Sequence, residues 1–527
     1  MPTRIPVPAA ATRLWNRIPP ALRLPLTVFT SCWIVLLIWW AAFFPGLMSY
    51  DSVAYVWQVS TGNWMGNHSI LYDSFVWLSL QITGDLWLLT LGQTIVMAAT
   101  LAYTSVALRD LGARGRWCAL AALAVVSLPS SGTLSIFIWK DAAFGIAALL
   151  AFAASARLLA RRIKGRGQVR DRAFYWDMAV LGVGFLGISL FRNNSVLVIL
   201  FAFPFFVIAL TGMRRWITAL TAGATAVFLL LQFVVYPAVG IVMPTTDQVY
   251  AFNYADIADA YGRHPGTFTA SDLATMEKVA PLSFWRGPAS NCYSVDATLA
   301  KPFDHKAAAA NNDALMTVWY NVLKRTPQDI TYAHICRADI AWSIWPGPTS
   351  LKAGTLITTT PIPKNLYGWA NWNQQVKHSP YRPIMKSRPL STTLHKAGTF
   401  VYNISMTPQL QWLLWRGALW CYLLYGIAIA YAVRLRRRPA YALVGITVGL
   451  QLTVLAANPA QLARYMLPPF YIGIMSLALL PTLRAAKSQP AAVPAAPPLA
   501  ADPEVAEAGE PGGATAAPVE TAGSARH

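Results

Sequence analysis

The stretch LTVFTSCWIVLLIWWAAFFPG, residues 26–46, is apolar at most positions and contains no charged side chain. About 20 such residues are enough for a helix to cross the hydrocarbon core of a bilayer. Arg13, Arg17 and Arg23 precede the stretch, and FPGLM, residues 44–48, follows it in place of a small-residue cleavage site. We therefore expect a retained membrane helix rather than a signal peptide.

The same apolar character extends along the whole chain of 527 residues, of which 55% are hydrophobic and only 12% are charged. Soluble domains carry about 25% charged residues, so half of the usual charge is missing. The 21 Trp, 21 Tyr and 22 Phe residues suit the lipid–water interfaces of a membrane. In a soluble protein the formal charge of +20 would suggest a nucleic-acid partner, but here the basic residues lie between apolar runs. The composition predicts a protein of the lipid bilayer that binds no nucleic acid.

Ten apolar segments are long enough to be membrane-spanning helices. Their approximate bounds are 26–46, 86–108, 117–138, 142–160, 174–191, 194–213, 216–243, 412–433, 439–462 and 465–483. With this count, the short loops rich in Lys and Arg all fall on one side, and such loops stay in the cytoplasm. We expect an all-α, multi-pass protein of a bacterial plasma (inner) membrane with both termini in the cytoplasm.

These segments divide the chain into four parts. Residues 1–243 form an N-terminal membrane module of seven helices whose first outer loop is 47–85. Residues 244–411 form an extracytoplasmic domain of mixed secondary structure, inserted before a C-terminal module of three helices at 412–487. Residues 488–527 are rich in Ala, Pro and Gly, which predicts a disordered cytoplasmic tail.

The polar segment 244–411 contains two expected helices, Ser271–Ala280 and Asn311–Lys324, and two of the five cysteines. Because the segment is expected on the oxidising side of the membrane, Cys292 and Cys336 are candidates for a disulfide. The alternative is two buried free thiols. The remaining cysteines lie in apolar runs, and no CxxC or Cys/His cluster predicts a metal site.

Asp51 is the first carboxylate after the first predicted helix. The segment that follows it, 53–80, is amphipathic and aromatic, which predicts a helix lying on the outer interface. A carboxylate held beneath such a helix is partly desolvated and suited to act as a general base. The alternative is that Asp51 only caps the N-terminus of that helix.

Charged residues expected at the outer ends of the helices need a reason beyond topology. They are Asp51, Asp73, Asp85, Lys140, Asp141, Arg192, Arg416 and Arg464. Lys140, Arg192 and Arg464 lie in tight outer turns, against the positive-inside rule, and a lipid phosphate or pyrophosphate would explain them. The alternative is internal ion pairing, such as Lys140 with Asp73 or Arg192 with Asp141.

Motifs of soluble enzymes are missing from the sequence, including Walker A, GxGxxG, GxSxG and HExxH. An ATP-driven pump and a nucleotide-dependent enzyme are therefore not predicted. His68, in GNHS at residues 66–69, lies in the first outer loop. It is either an aid to acid–base chemistry or an ordinary surface histidine.

Four short motifs occur in order along the chain, and all are expected on one membrane face. They are SYDS at 49–52, WKD at 139–141, FRNN at 191–194 and RYMLP at 464–468. Together with the first helix and its interfacial loop, they resemble landmarks of the bacterial GT-C superfamily of membrane glycosyltransferases. The resemblance covers residues 26–483, and the order of the motifs carries it more than any single motif does.

The resemblance implies an inverting glycosyltransferase. Such an enzyme moves a sugar from a polyprenyl-phosphate carrier to a cell-envelope glycan, lipid or protein acceptor on the outer face of the membrane. Asp51 would be the catalytic base that deprotonates the acceptor hydroxyl. Lys140, Arg192 and Arg464 would bind the carrier phosphate.

The remaining site residues follow from the same resemblance. Asp141 and Asp73 would be second carboxylates that orient the acceptor or Lys140, and His68 and Asn193 would be auxiliary. Related proteins often have a His-Pro pair in the first outer loop, where this chain has Asn67, His68 and Ser69. Some members use a divalent cation, but the mechanism requires no cofactor and the sequence offers no clear metal ligands.

Two other functions compete with this one. A transporter or flippase of lipid-linked sugars would also use outer cations, but it should have charged or broken helices near the bilayer midplane, where this chain is almost uncharged. A non-enzymatic envelope assembly protein would bind its partner through segment 244–411. The charges expected at the membrane face, outside that segment, argue against it.

Overall fold

The computed structural model describes residues 17–347, 379–434 and 438–485 of the chain. Within these residues the secondary structure is helical, with isolated β-bridges and no strand. The predicted all-α class is therefore confirmed for the described part of the chain. The tail, 488–527, which the sequence predicts to be disordered, lies outside the described residues.

The helices before residue 244 include most of the long ones. They are α1 (Pro20–Ala42), α2 (Tyr50–Thr61), α3 (Ile70–Thr83), α4 (Trp87–Asp110), α5 (Gly115–Ser127), α6 (Pro129–Ser135), α7 (Lys140–Ile163), α8 (Arg172–Phe191), α9 (Val196–Ala209) and α10 (Arg214–Leu230). A π-helical turn, Leu231–Val235, continues α10 as far as Ala238.

Shorter helices follow, up to the last apolar part of the chain. They are α11 (Thr246–Val249), α12 (Ala251–Arg263), α13 (Ala270–Glu277), α14 (Leu282–Arg286), α15 (His305–Ala310), α16 (Asn312–Arg325), α17 (Pro327–Arg337), α18 (Asp339–Trp342), α19 (Thr392–Ser405) and α20 (Pro408–Leu414). The last apolar part contains α21 (Gly417–Arg434), α22 (Gly445–Ala456), α23 (Leu467–Ser476) and α24 (Leu480–Ala485), with a 3₁₀ turn at Ala463–Met466.

In the described residues, seven helices are long and apolar enough to cross a membrane, and nine if each of two bent pairs forms one span. This is the pattern of a multi-pass membrane protein. The predicted sixth span corresponds to α9, which has only 14 residues. A helix of this length is too short to cross the hydrocarbon core of an ordinary bilayer by itself. The count of ten, which includes α9, stays a prediction.

The predicted third span, 117–138, is bent rather than straight. Its two halves, α5 and α6, meet at an angle of 74°. Pro129 begins α6, and a proline has no backbone N–H with which to continue the helical ladder of α5. The predicted eighth span likewise consists of α20 and α21, which meet at 45°.

Helix α7 lies at the centre of the bundle, and most of its residues are buried. It packs closely along α8 because small residues face each other. A Cβ on Gly184 would lie 2.9 Å from the Cβ of Ala151, and a Cβ on Gly187 would lie 2.7 Å from that of Ala147. Such small-residue contacts let the two backbones approach. They also place the start of α7 beside the end of α8.

The segment 53–80 is two helices rather than the single helix that the sequence predicts. Helix α2 ends at Gly62, whose φ of 74° is a left-handed conformation that favours glycine. The chain then crosses residues 62–69 before α3 begins, and α3 packs against α2. This α2–α3 hairpin contributes several side chains to the candidate site.

The described residues of segment 244–411 are helical, so the prediction of mixed secondary structure is wrong for them. The physical reason lies in the spacing of apolar residues: Tyr254, Ile257, Ala258 and Tyr261 are buried on one face of α12 at helical intervals. The two helices expected in this segment are confirmed as α13 and α16.

Candidate functional site

The start of α2 is tied to the start of α7 by hydrogen bonds. Ser49 is the N-cap of α2, and its backbone N–H donates to the Oγ of Ser52. Ser52 donates in turn to the backbone carbonyl of Ile138 at 2.8 Å, and the Trp139 indole donates to the Oγ of Ser49. Asp51 follows the cap residue in the first turn, so the hypothesis that Asp51 itself caps the helix is wrong.

Arg464 contacts Asp51 directly. The Nη1 atom of Arg464 donates to the Oδ2 atom of Asp51 at 2.5 Å. The Arg464 guanidinium also lies 4.7 Å from the centre of the Trp139 ring, and Arg464 as a whole is only 8% exposed. An arginine buried to this degree requires a carboxylate or another anion nearby.

A second arginine, Arg192 at the end of α8, belongs to the same group of charged side chains. The Nε atom of Arg192 lies 3.4 Å from Asp141, and its guanidinium stacks 4.4 Å from the centre of the Tyr465 ring. Arg464 also approaches Asp141, at 3.9 Å. Asp141 is 1% exposed, and neither of its carboxylate oxygens has a hydrogen-bond partner among the described residues. The Arg192–Asp141 ion pair, which the sequence left open as an alternative to an anion site, thus exists, but at a distance longer than a direct hydrogen bond.

Lys140 and Asp73 complete the set without pairing with each other. The Nζ atom of Lys140 donates to the backbone carbonyl of Asn67 at 3.4 Å. Asp73, on α3, is fully buried, and both of its carboxylate oxygens lack a hydrogen-bond partner within the described chain. The structure therefore does not contain the ion pair between Lys140 and Asp73 that the sequence left open. We call Asp51, Asp73, Lys140, Asp141, Arg192 and Arg464 the charged cluster.

Aromatic side chains of the α2–α3 hairpin lie beside the charged cluster. The ring of Tyr55 meets the ring of His68 edge to face at 5.2 Å, and it meets the ring of Tyr72 at 5.3 Å. The Tyr55 hydroxyl is buried and has no hydrogen-bond partner in the described part of the molecule. Tyr55 was not predicted as a site residue, although its position four residues after Asp51 places both side chains on one face of α2.

The electrostatics of the hairpin follow from burial and from the neighbouring cations. Burial alone would raise the pKa of Asp51, but the charges of Arg464 and Lys140 and the hydrogen bond from Arg464 outweigh it and lower the pKa to about 2. Burial, aided by Lys140, lowers the pKa of His68 to about 3, so its imidazole is neutral at neutral pH. Burial raises the pKa of Asp73 well above its ordinary value. The neighbouring cations thus favour the charged form of Asp51, whereas burial disfavours the charged form of Asp73.

The other predicted residues lie outside the charged cluster or only shape it. Arg416 pairs with Asp339 at 2.7 Å, and Asp85 pairs with Arg388 at 2.5 Å, so both belong to other contacts. Asn193 donates from its amide to the carbonyl of Gly66 at 2.6 Å. This bond holds the loop between α2 and α3 against the end of α8.

Beside the charged cluster lies an apolar cavity of about 640 Å³ between α3, α4, α7 and α8. Three of its lining residues are next to, or one turn from, members of the cluster. They are Tyr72, Ala143 and Phe191, whose neighbours are Asp73, Lys140 and Arg192. Exposed Leu78, Val96 and Val183 form part of the wall, so the cavity opens on the apolar surface of the bundle.

The loop before Arg464 is held by two segments of the polar region. Pro459 accepts from the backbone N–H of Val295, and Gln461 donates from its backbone to Tyr293; both distances are 2.9 Å. On the other side, the Gln461 amide donates to the carbonyl of Cys336 at 2.5 Å. A disulfide between Cys292 and Cys336 joins the two segments, with Cα atoms 5.7 Å apart. The disulfide thus joins the two segments that hydrogen-bond to the loop before Arg464.

The side chains of the site suit an anion and hydroxyl groups better than a metal ion. In the described residues, no group of three or more His, Cys, Asp or Glu side chains is placed to hold a metal. The charged cluster has three basic and three acidic groups, and burial disfavours the charged form of one of the acidic groups, Asp73. An added anion would offset the positive charge that this leaves.

The chain matches no protein-family model, no curated protein and no solved structure. What can be said of its function therefore comes from this geometry and from the sequence motifs.

Proposed function

We propose that the protein is an inverting glycosyltransferase of the GT-C type in a bacterial plasma membrane. It would take a sugar from a polyprenyl-phosphate carrier and transfer it to a cell-envelope glycan, lipid or protein on the outer face. The observation that carries the proposal is the partly buried contact between Asp51 and Arg464, with Lys140 and Arg192 beside it and an apolar cavity nearby.

The cations and the cavity together suit a lipid phosphate. Arg192 and Arg464 are buried, and both lie beyond direct hydrogen-bond contact with the Asp141 carboxylate or at its limit, at 3.4 and 3.9 Å. The Nε atom of Arg464 has no hydrogen-bond partner among the described residues, so an added anion could accept from it. The cavity next to them is apolar and of the size of ordinary ligand sites. A soluble phosphate would need the cations alone, whereas a lipid phosphate would use both features.

Because Asp51 pairs with Arg464, the donor would bind before Asp51 acts as a base. A carboxylate whose pKa is about 2 is a weak base. A phosphate that binds Arg464 competes with Asp51 for the guanidinium, and the pKa of Asp51 then rises towards its ordinary value. The arrival of the donor would thus activate the base.

The transfer step itself balances without a cofactor. The acceptor hydroxyl gives its proton to Asp51 while its oxygen bonds to the anomeric carbon. The bond between that carbon and the phosphate oxygen breaks, and the phosphate leaves with the electron pair. Arg464, Arg192 and Lys140 stabilise the charge that develops on it in a setting shielded from water. Asp141, between the two arginines, holds them in position.

The experiment that tests the proposed function is an analysis of cell-envelope glycans. Three strains are compared: one with the gene deleted, one with the wild-type gene restored and one with Asp51→Asn. The proposal predicts that the deletion and Asp51→Asn lose the same sugar, while the protein level of the variant stays normal. An unchanged glycan composition after deletion would contradict the proposal and favour an assembly protein. A sugar lost on deletion but retained with Asp51→Asn would favour a transporter.

A further inference from the structure

Six polar atoms of the α2–α3 hairpin are buried without a hydrogen-bond partner among the described residues. One is the Nε2 atom of Gln58, which donates. The other five can accept: both carboxylate oxygens of Asp73, the hydroxyl of Tyr55, the Nδ1 atom of His68 and the Oδ1 atom of Asn67. Nearly all buried polar groups in proteins have partners, because an unpartnered one costs free energy. Six within one short hairpin indicate that a bound molecule supplies the missing partners.

These unpartnered atoms lie close to one another. Tyr55 contacts the rings of both His68 and Tyr72, and Tyr72 directly precedes Asp73 on α3. Lys140 contacts the carbonyl of Asn67, which brings the loop between α2 and α3 against the charged cluster. The unpartnered atoms therefore lie beside the cations, on the side formed by the hairpin.

The chemistry of this side differs from that of the arginine side. A carboxyl group, a phenol, a neutral imidazole and an amide oxygen accept hydrogen bonds, and the first three can also donate them. Hydroxyl groups of a ligand both donate and accept, so several neighbouring hydroxyls would satisfy such a set. An anion suits this set less well, because it cannot donate to the unpartnered acceptor oxygens of Asp73 and Asn67.

We propose that Asp73, Tyr55, His68 and Asn67 form a subsite for the hydroxyl groups of a sugar whose phosphate is held by Arg192 and Arg464. The inference rests on the proposed function and adds to it, because it assigns the sugar to the hairpin and the phosphate to the arginines. Tyr55 and Asp73 are fully buried, so their polar atoms face the protein interior rather than solvent.

The subsite has a consequence for stability that a structural role does not share. A buried carboxyl group without a partner weakens the ligand-free protein, so Asp73→Leu, which removes the polar group at similar volume, should raise its melting temperature by a few degrees. Asp256 is the matched control, because it is equally buried but accepts from Arg337, His334 and Trp319. Asp256→Leu should lower the melting temperature. A lower melting temperature for Asp73→Leu would overturn the assignment.

Lipid binding in nanodiscs tests the ligand itself. The probes are undecaprenyl phosphate without a sugar and the same lipid carrying glucose, mannose or arabinose. The wild-type protein should bind at least one sugar-bearing lipid more tightly than the bare lipid phosphate. Asp73→Asn and Tyr55→Phe should each reduce that preference about tenfold, the effect of about one lost hydrogen bond, while leaving the affinity for the bare lipid unchanged.

Arg192→Gln serves as the control, since it should weaken the binding of both kinds of lipid. The subsite is refuted if the wild-type protein binds the bare and sugar-bearing lipids equally well, or if both hairpin variants keep the preference. Ordered water and not a sugar would then supply the missing hydrogen-bond partners. If no lipid phosphate binds at all, the proposed function fails as well. The change in melting temperature then still shows whether Asp73 is placed for a ligand.

Discussion

The Nη1 atom of Arg464 lies 2.5 Å from the Oδ2 atom of Asp51, although 413 residues separate them along the chain. Asp51 lies in the first turn of α2, and Arg464 follows the loop that a disulfide-linked pair of segments holds. Two distant parts of the chain thus meet at one ion pair. That pair keeps Asp51 charged and weakly basic until something else occupies Arg464.

Replacing Asp51 tests whether it is the base. Asp51→Asn keeps a side chain of the same shape that can still accept from Arg464, so the fold should be preserved. Because the variant cannot take the acceptor proton, sugar transfer should fall by about 10²- to 10⁴-fold, the usual contribution of a general base. Asp85→Asn, which removes a carboxylate paired with Arg388 outside the charged cluster, should keep activity. Equal activity of the two variants, measured as sugar incorporated per molecule of folded protein, would refute the role of Asp51.

Filling the apolar cavity tests whether a lipid tail occupies it. Gly92 lines the cavity, and a Cβ added there would meet no atom within 4 Å. Gly92→Phe should therefore fold normally, reduce the volume left for a hydrocarbon chain and weaken the binding of a polyprenyl phosphate about tenfold or more. Gly223→Phe is the matched control, since Gly223 on α10 is equally unobstructed and lies outside the cavity. Equal affinities of the two variants in a lipid-binding assay would place the tail elsewhere.

Breaking the disulfide tests how Arg464 is positioned. Cys292→Ser should loosen the two segments that hold residues 459–461, so backbone amides of 457–466 should exchange hydrogen faster and transfer should slow. Cys118→Ser removes a buried free thiol far from this loop and should leave exchange there unchanged. Hydrogen exchange measured by mass spectrometry separates the two. Unaltered exchange at 457–466 in Cys292→Ser would show that the hydrogen bonds alone fix the loop.

A pH effect on stability is expected from Asp259 in α12. Burial raises its pKa to about 6, only partly offset by Arg263 and Arg337. The folded protein therefore holds this proton more tightly than the unfolded chain, and the carboxyl group costs stability as the pH rises from about 4 to about 6. Asp259→Asn should stabilise the protein at pH 7.5 by at most about 3 kcal/mol and by nothing near pH 4. Thermal unfolding at both pH values measures this, and a gain that is the same at both would contradict it.

The general layout could be predicted from the sequence because apolar length and the spacing of charges are local properties. The long apolar helices follow from runs such as residues 26–46. The approach of Lys140, Arg192 and Arg464 was predicted from their places at the ends of helices, and the structure brings them together.

What the sequence did not predict depends on geometry between distant segments. Gly62 ends α2 in a left-handed turn and makes two helices of the expected one, which brings Tyr72, the neighbour of Asp73, against Tyr55. Asp73 was expected as a second carboxylate from the resemblance, whereas Tyr55 carries no signal of its own, because a buried tyrosine is ordinary in sequence. Their importance rests on missing partners, which only the packed structure reveals.

In the proposed function, a lipid phosphate takes the place of Asp51 at Arg464. An experimental structure of the protein in nanodiscs with undecaprenyl phosphate, determined by electron cryomicroscopy, would show this. We expect the phosphate to contact Arg464 and Arg192, the lipid tail to enter the cavity lined by Tyr72 and Phe191, and Asp51 to be released from Arg464. A phosphate bound away from both arginines, with the contact between Asp51 and Arg464 intact, would contradict the proposal.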